Sequence, residues 1–158
     1  MSNALKSALL AASLVVTAFT APANAQVVYQ KKNADYDRAT TAMRDGELDQ
    51  ASKLFKRALK GTLREDVRLS AYNNLCAVDF TRGALESAER ACSNAIGQNR
   101  LYWRAYVNRG HVRAALGKPE LALKDLQKAV KLIPDSKLAN RVLQRYAGKS
   151  GKLFAQAN

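Results

Sequence analysis

The side chains that most often carry out chemistry in enzymes are sparse in this chain. His111 is the only histidine among 158 residues, so a metal site rich in histidine is excluded, and a serine-histidine-acid triad would have to use this one ring. No glycine-rich phosphate loop follows a predicted strand. The carboxylates stand beside basic residues on helical segments, a pattern typical of surface ion pairs. The sequence therefore predicts a protein that is not an enzyme and that needs no metal or other cofactor.

Two cysteines, Cys76 and Cys92, complete the set of reactive side chains. Their spacing is not Cys-x-x-Cys, which disfavours a redox-active pair. The helical pattern places them on the two helices of one hairpin, facing the same internal groove, where a disulfide would close a loop of about 15 residues. Buried free thiols are the alternative. The chain has an even number of cysteines and, as described next, a pattern typical of exported proteins. We therefore expect the disulfide.

That export signal occupies residues 1–25. Lys6 precedes the apolar run Ala8–Phe19, and the small residues Ala23, Asn24 and Ala25 stand before Gln26, as in a secretory signal peptide. A membrane anchor is the alternative, but a run of about a dozen apolar residues is shorter than the roughly 20 that span a bilayer. We therefore predict cleavage between Ala25 and Gln26. The processed protein would be periplasmic or secreted and would not be transmembrane.

A two-helix unit repeats along the rest of the chain. Gly46, Gly83 and Gly117 each precede one alanine by five residues and another by twelve. A fixed period near 34 residues with small residues at fixed offsets is typical of stacked helical hairpins. Helical periodicity and the intervening glycines predict seven helices, over Ala34–Asp45, Leu48–Lys60, Val67–Thr81, Leu85–Ile96, Leu101–Leu116, Glu120–Ile133 and Asp135–Ala147.

The repeated unit resembles the tetratricopeptide repeat. Residues 103–134 are most similar and supply the family's packing residues, namely Tyr106, Gly110, Ala122, Leu126, Ala129 and Pro134. Residues 69–100 also fit the family pattern, with Cys76 in place of its glycine. Residues 32–63 depart most from that pattern. The resemblance implies an all-α, right-handed α-solenoid of three hairpins plus a C-terminal capping helix. Residues 26–31 would be a lead-in, and residues 135–158 would hold the capping helix, ended by Gly148 and Gly151, and a mobile tail.

In this family the first helix of each hairpin lines a concave groove that binds a peptide or a partner protein. The groove positions fall here on Tyr36, Asn73, Asn74, Phe80, Arg104, Asn108 and His111. One family subset grips a C-terminal carboxylate with basic and Asn residues. This chain has Asn74 and Arg104 at two of those positions but Tyr36, Thr40 and Asn108 at three others, so that clamp is mostly absent.

The resemblance therefore implies a non-catalytic adaptor or scaffold that holds a protein or peptide partner. The alternative for the groove residues is that they are only solvated. His111 could bind a ligand. The alternative is that its ring is exposed and has no special role.

The basic charge is concentrated in the second half of the chain. Residues 26–99 hold 12 basic and 10 acidic residues, whereas residues 100–158 hold 13 basic and 3 acidic ones. This excess is more than solubility requires and favours anionic partners. The candidate basic surface is Lys124, Lys128, Lys131, Lys137, Arg141 and Arg145. The alternative function is thus a surface-association factor that docks on anionic cell-envelope material, either lipid headgroups or wall polymers. Nucleic acid fits the charge but not the export signal.

Overall fold

The computed structural model describes the backbone of residues 23–156 and the side chains of residues 34–148. Within that range the chain forms seven helices and no strand: α1 Ala23–Arg44, α2 Leu48–Leu59, α3 Glu65–Thr81, α4 Leu85–Gln98, α5 Trp103–Ala115, α6 Pro119–Leu132 and α7 Lys137–Gln156. None of these described helices has the length and apolar character needed to cross a membrane. Apart from its last three residues, the predicted signal peptide lies outside the described residues.

All seven predicted helices are present, and the boundaries between them agree to within two residues. The two outer ends differ. The first helix begins at Ala23 rather than at Ala34, so the predicted lead-in is helical. The last helix continues through Gly148 and Gly151 to Gln156. A glycine inside a helix costs only about 1 kcal/mol relative to alanine, so a glycine by itself does not end a helix.

The three hairpin turns share one construction. Gly46, Gly83 and Gly117 have φ values of +80°, +76° and +70°, in the left-handed region that favours glycine. After the second of them, the N–H of Ala84 donates to the carbonyl oxygen of Asp79 at 2.8 Å. This bond closes the last turn of the first helix, and the chain reverses into the second helix of the hairpin.

Small residues hold the two helices of each hairpin close together. Helices pair as α1–α2, α3–α4 and α5–α6, the pairs stack in order, and α7 packs on α6. The predicted small residues of the second helices are fully buried, namely Ala51, Ala88 and Ala122. In the third hairpin a Cβ on Gly110 would lie 2.9 Å from Cδ2 of Leu126. The prediction of closely packed helix pairs is thus confirmed.

A disulfide between Cys76 and Cys92 joins α3 to α4 in the middle hairpin. The two Cα atoms lie 5.2 Å apart, and both residues are fully buried. The pairing is the one that the sequence predicts, and it ties a first helix covalently to its partner.

Candidate functional site

The first helices of neighbouring hairpins lie side by side, α1 against α3 and α3 against α5. Between α3 and α5 opens a pocket of about 200 Å³, lined by Cys76, Ala77, Phe80, Thr81, Asn108 and His111. Phe80 supplies an apolar wall that is 36% exposed. Three of the predicted groove residues, Phe80, Asn108 and His111, therefore meet in one pocket on the face that the first helices form.

A hydrogen bond between two asparagines crosses the groove floor. Nδ2 of Asn108 on α5 donates to Oδ1 of Asn73 on α3 at 3.0 Å. Both are predicted groove residues, so each uses one side-chain atom to bind the other rather than a peptide. Among the described residues Asn74 is half-buried and no side-chain hydrogen bond engages its amide.

His111 is half-buried, whereas the sequence suggests an exposed ring. Its Nδ1 is hydrogen-bonded to the hydroxyl of Tyr146 on α7 at 3.2 Å. The rings of Phe80 and Tyr146 lie 6.4 and 5.5 Å away, measured between centroids. Burial lowers the pKa of His111 below its ordinary value of 6.5, and the positive charge of Arg145 lowers it further. The ring is thus neutral at neutral pH, and α7 contributes to the wall of the groove.

Two further predicted groove residues lie apart from this pocket. The ring of Tyr36 packs edge-on against buried Phe55, with centroids 5.9 Å apart, so it belongs partly to the core of the first hairpin. Arg104 is exposed, and its guanidinium carbon lies 4.9 Å from the ring centroid of Trp103. Stacking on an aromatic face orients a guanidinium without using its N–H donors.

The candidate basic surface divides between two helices. All six of its residues are exposed, with Lys124, Lys128 and Lys131 on α6 and Lys137, Arg141 and Arg145 on α7. The charge of Arg145 acts on His111, so among the basic residues of α7 this one lies near the groove. The lysines of α6 belong to a second helix, on the opposite side of the hairpin.

Asp79, at the end of α3, is fully buried, and its position corrects the expectation that the carboxylates form only surface pairs. It accepts hydrogen bonds from Ser52 on α2, at 2.6 Å, and from Ser87 on α4. Lys56 Nζ lies 3.3 Å and Arg82 Nη1 3.0 Å from its oxygens. Burial raises the pKa of Asp79, but the two serine hydrogen bonds and the charge of Lys56 outweigh it, so the pKa lies below its ordinary value.

A second buried carboxylate, Asp125, links three helices of the last two hairpins. Arg109 on α5 donates two hydrogen bonds to it, each 2.8 Å long, and Nη1 of Arg113 donates a third at 2.9 Å. Arg113 also reaches Glu89 on α4 at 2.8 Å, as does Lys118. Spacing within one helix could not reveal either network, because most of the partners lie on other helices.

The chemistry that this arrangement offers is recognition. The carboxylates of Asp79 and Asp125 already form hydrogen bonds and ion pairs inside the helix stack. Among the residues with described side chains, no three His, Cys, Asp or Glu residues gather so that they could hold a metal ion. The groove instead presents an apolar pocket, amide groups that suit a peptide backbone, and cations at its edge.

Comparison with known proteins agrees with this architecture. Residues 103–136 match the sequence model of the tetratricopeptide repeat. RNA polymerase II-associated protein 3 of Mus musculus is 30% identical over 113 residues, which make up 69% of this chain and 16% of that protein. The chain therefore spans less than a fifth of the length of this relative.

Solved structures show the same helix stack. The myosin chaperone UNC-45 from C. elegans, in complex with a Hsp90 peptide, superimposes with a TM-score of 0.69 at 27% identity, covering 76% of this chain and 14% of that chain. The first tetratricopeptide domain of Spaghetti (RPAP3), bound to the HSP90 peptide SRMEEVD, gives a TM-score of 0.70 at 24% identity, covering 77% and 94%. At 24% identity the likeness concerns the fold alone. The matched repeat, the stacked hairpins and these structural neighbours together show that residues 103–136 form a tetratricopeptide repeat and that the helix stack has the tetratricopeptide-repeat fold.

Proposed function

We propose that this chain is a periplasmic, non-catalytic adaptor that holds an extended segment of a partner protein in its concave groove. The pocket between α3 and α5, with the half-exposed ring of Phe80 at its wall, is the observation that carries the proposal. Tetratricopeptide domains are generally protein-interaction modules, and both UNC-45 and the Spaghetti domain are solved with a bound peptide.

Three features of the groove would recognise such a segment. The pocket of about 200 Å³ accepts one apolar side chain against Phe80 and Ala77. Asn74 presents an amide, which can donate to and accept from a peptide backbone. Arg104 is exposed and can pair with a carboxylate through two parallel hydrogen bonds. The preferred segment is therefore extended, with an apolar residue near an acidic one.

A free C-terminal carboxylate is not required in this proposal. Asn108 donates to Asn73 and Tyr36 packs on Phe55, so two of the clamp positions are engaged within the protein. We expect a bound peptide and its C-terminally amidated form to differ in affinity by no more than about twofold. Fluorescence anisotropy with both forms measures this ratio, and a tenfold preference for the free carboxylate would contradict it.

Groove substitutions should weaken peptide binding selectively. Peptides selected by phage display against the purified chain should bind Phe80→Ala, Asn74→Ala and Arg104→Ala about tenfold more weakly than the wild type, since residues central to an interface each contribute on the order of 1–2 kcal/mol. These side chains are half-buried or exposed, so the variants should remain folded.

Lys124→Ala, on the opposite side of its hairpin, is the matched control and should bind like the wild type. The adaptor proposal fails if display selects no peptide, or if the selected peptides bind the groove variants and the control equally well.

The periplasmic location rests on the signal-peptide pattern of residues 1–25. Fractionation of expressing cells, followed by N-terminal sequencing, should recover a protein that starts at Gln26. Recovery of the uncleaved chain from the cytoplasm would contradict the location without affecting the groove.

A further inference from the structure

The exposed faces of the three second helices carry basic residues at the same places in the repeat. Positions 7, 11 and 14 after each turn glycine are Lys53, Arg57 and Lys60 on α2, Arg90, Asn94 and Gly97 on α4, and Lys124, Lys128 and Lys131 on α6. All nine positions are exposed, seven are basic and none is acidic. These seven basic residues are called the outer basic stripe below.

The outer basic stripe faces away from the packed interior. On α6, at 100° per residue, its three lysines fall within about 60° of one another, and the fully buried Ala122 and Ala129 lie on the other side of the helix. The groove is formed by the first helices, α1, α3 and α5, whereas the stripe lies on the second helices. The chain therefore has two separate surfaces that a partner could use.

Most of the charge on this stripe is not neutralised. Arg57 pairs with Asp35 through two short hydrogen bonds, 2.7 and 2.6 Å long. For the other six members, no carboxylate lies within 4 Å among the described residues, and so they form no ion pair there. Of the acidic residues of α4 and α6, Glu89 and Asp125 are turned toward Arg113. The exposed Glu86 and Glu120 lie one turn before Arg90 and Lys124 but form no ion pair with them, so they flank the stripe at its N-terminal edge.

The side chains of the stripe select among anionic partners. None of the nine positions is aromatic or strongly apolar, so the stripe itself has no ring that could stack on a nucleobase. Leu121, 40% exposed, lies beside the lysines of α6, but one leucine is a small apolar surface compared with the apolar face of a membrane-binding helix. Lysine predominates, and its ammonium is a compact point charge on a flexible stem, which pairs with an anionic oxygen without requiring a fixed geometry. Such a row suits a flexible polymer whose charges repeat along its length, because the polymer can cross the three helices in turn.

We propose that the outer basic stripe binds an acidic polysaccharide of the cell envelope, a linear polymer that carries carboxylate groups. The signal-peptide pattern favours an envelope polymer over nucleic acid. This binding is independent of the groove, so the chain would hold a protein segment on one side and a polymer on the other.

Two charge-reversal variants of the full chain test this proposal. One changes Lys124, Lys128 and Lys131 to Glu on α6, and the other changes Lys137, Arg141 and Arg145 to Glu on α7. Each lowers the net charge by six, so the two differ only in where the charge is removed. With polygalacturonate in 0.1 M salt, the α6 variant should bind at least about tenfold more weakly than the wild type and should show a smaller salt dependence. The α7 variant should stay within about threefold.

Equal losses in the two variants would show that net charge alone matters and would overturn the proposal. Circular dichroism verifies that both remain helical. If the α6 reversal does not fold, Lys→Gln at the same three positions replaces it, with the same expected ranking. Duplex DNA or anionic phospholipid vesicles that bind more tightly than polygalacturonate, through the same lysines, would overturn the choice of polysaccharide.

The groove supplies a readout that keeps this test separate from the adaptor proposal. Phe80→Ala should retain polygalacturonate binding, and the α6 variant should retain binding of the peptides selected for the groove. Failure of one activity therefore leaves the other intact and identifies which of the two proposals is wrong.

Discussion

At Gly110 the absence of a side chain sets how closely α5 and α6 approach. A Cβ there would meet Leu126 Cδ2 at 2.9 Å and the carbonyl oxygen of Ala122 at 3.3 Å. Leu126 is fully buried, so its side chain has little room to move away. Gly97, in the last turn of α4, differs because nothing lies within 4 Å of its Cβ position.

Alanine substitutions at these two glycines should therefore act in opposite directions. Alanine in a helix gains about 1 kcal/mol over glycine, whereas overpacking a core costs typically 1–3 kcal/mol. We expect Gly110→Ala to lower the free energy of unfolding by up to about 2 kcal/mol and Gly97→Ala to raise it by up to about 1 kcal/mol. Urea denaturation measures both changes, and a stabilised Gly110→Ala would contradict the close approach.

The environment of His111 makes the stability of the fold depend on pH. Its pKa is lowered in the folded state, mainly by burial and also by Arg145, whereas in the unfolded chain it is near 6.5. Below about pH 6.5 the unfolded chain therefore binds the proton more readily, and stability falls as the pH drops until it passes the folded-state pKa.

Thermal denaturation at a series of pH values tests this dependence. The loss between about pH 7 and pH 5 should be smaller in His111→Asn, which keeps a polar group near Tyr146 but does not titrate. An identical pH profile in the variant would assign the dependence to other groups.

The residues that the sequence did not reveal are those whose partners lie on other helices. Spacing identified the groove positions of Phe80, Asn108 and His111, because repeat offsets determine which face a residue occupies. Buried Asp79 accepts a hydrogen bond from Ser52, 27 positions earlier in the chain, and no local sequence pattern predicts that contact. The same limit applies to Asp125 and its arginines.

At the scale of the elements, the middle hairpin is the one that is covalently closed. Its disulfide links Cys76 on α3 with Cys92 on α4, and Cys76 also borders the groove pocket. Reduction should lower the free energy of unfolding by about 3 kcal/mol, the chain-entropy value for a loop of this length. Urea denaturation with and without a phosphine reductant measures the difference.

The doubly substituted Cys76→Ala/Cys92→Ala protein is the control for that experiment. It has no disulfide to lose, so the reductant should leave its midpoint unchanged. Equal stability of the oxidised and reduced wild type would show that the linkage contributes nothing to the fold.

The sequence predicted the interior boundaries of the helices better than the outer ends. Each turn within a hairpin has a glycine in the left-handed region, as at Gly46 and Gly83, and this signal is local. At the C-terminal end, Gly148 and Gly151 resemble stop signals in composition, but α7 continues past both. Whether a glycine ends a helix depends on its backbone conformation, which composition does not determine.

For the molecule as a whole, the positions of the basic residues indicate more about binding than their number does. The sequence places the excess in residues 100–158, but the structure separates the lysines of α6 from the arginines of α7. Grouping the charges by repeat offset would have revealed the outer basic stripe from the sequence, since Lys53, Arg90 and Lys124 stand at one position of the repeat. The order of these residues along the chain does not show that they share one face.

The docking of α7 also limits how far the array can grow. Solenoids lengthen by adding units to an open end, and open ends can join head to tail into filaments. Here Ala139 and Val142 of α7 are buried against the last hairpin, and Tyr146 contacts His111, so the surface that another unit would need is occupied. We therefore expect that removing α7 would expose this surface and favour head-to-tail association, which sedimentation of the truncated and full chains would measure.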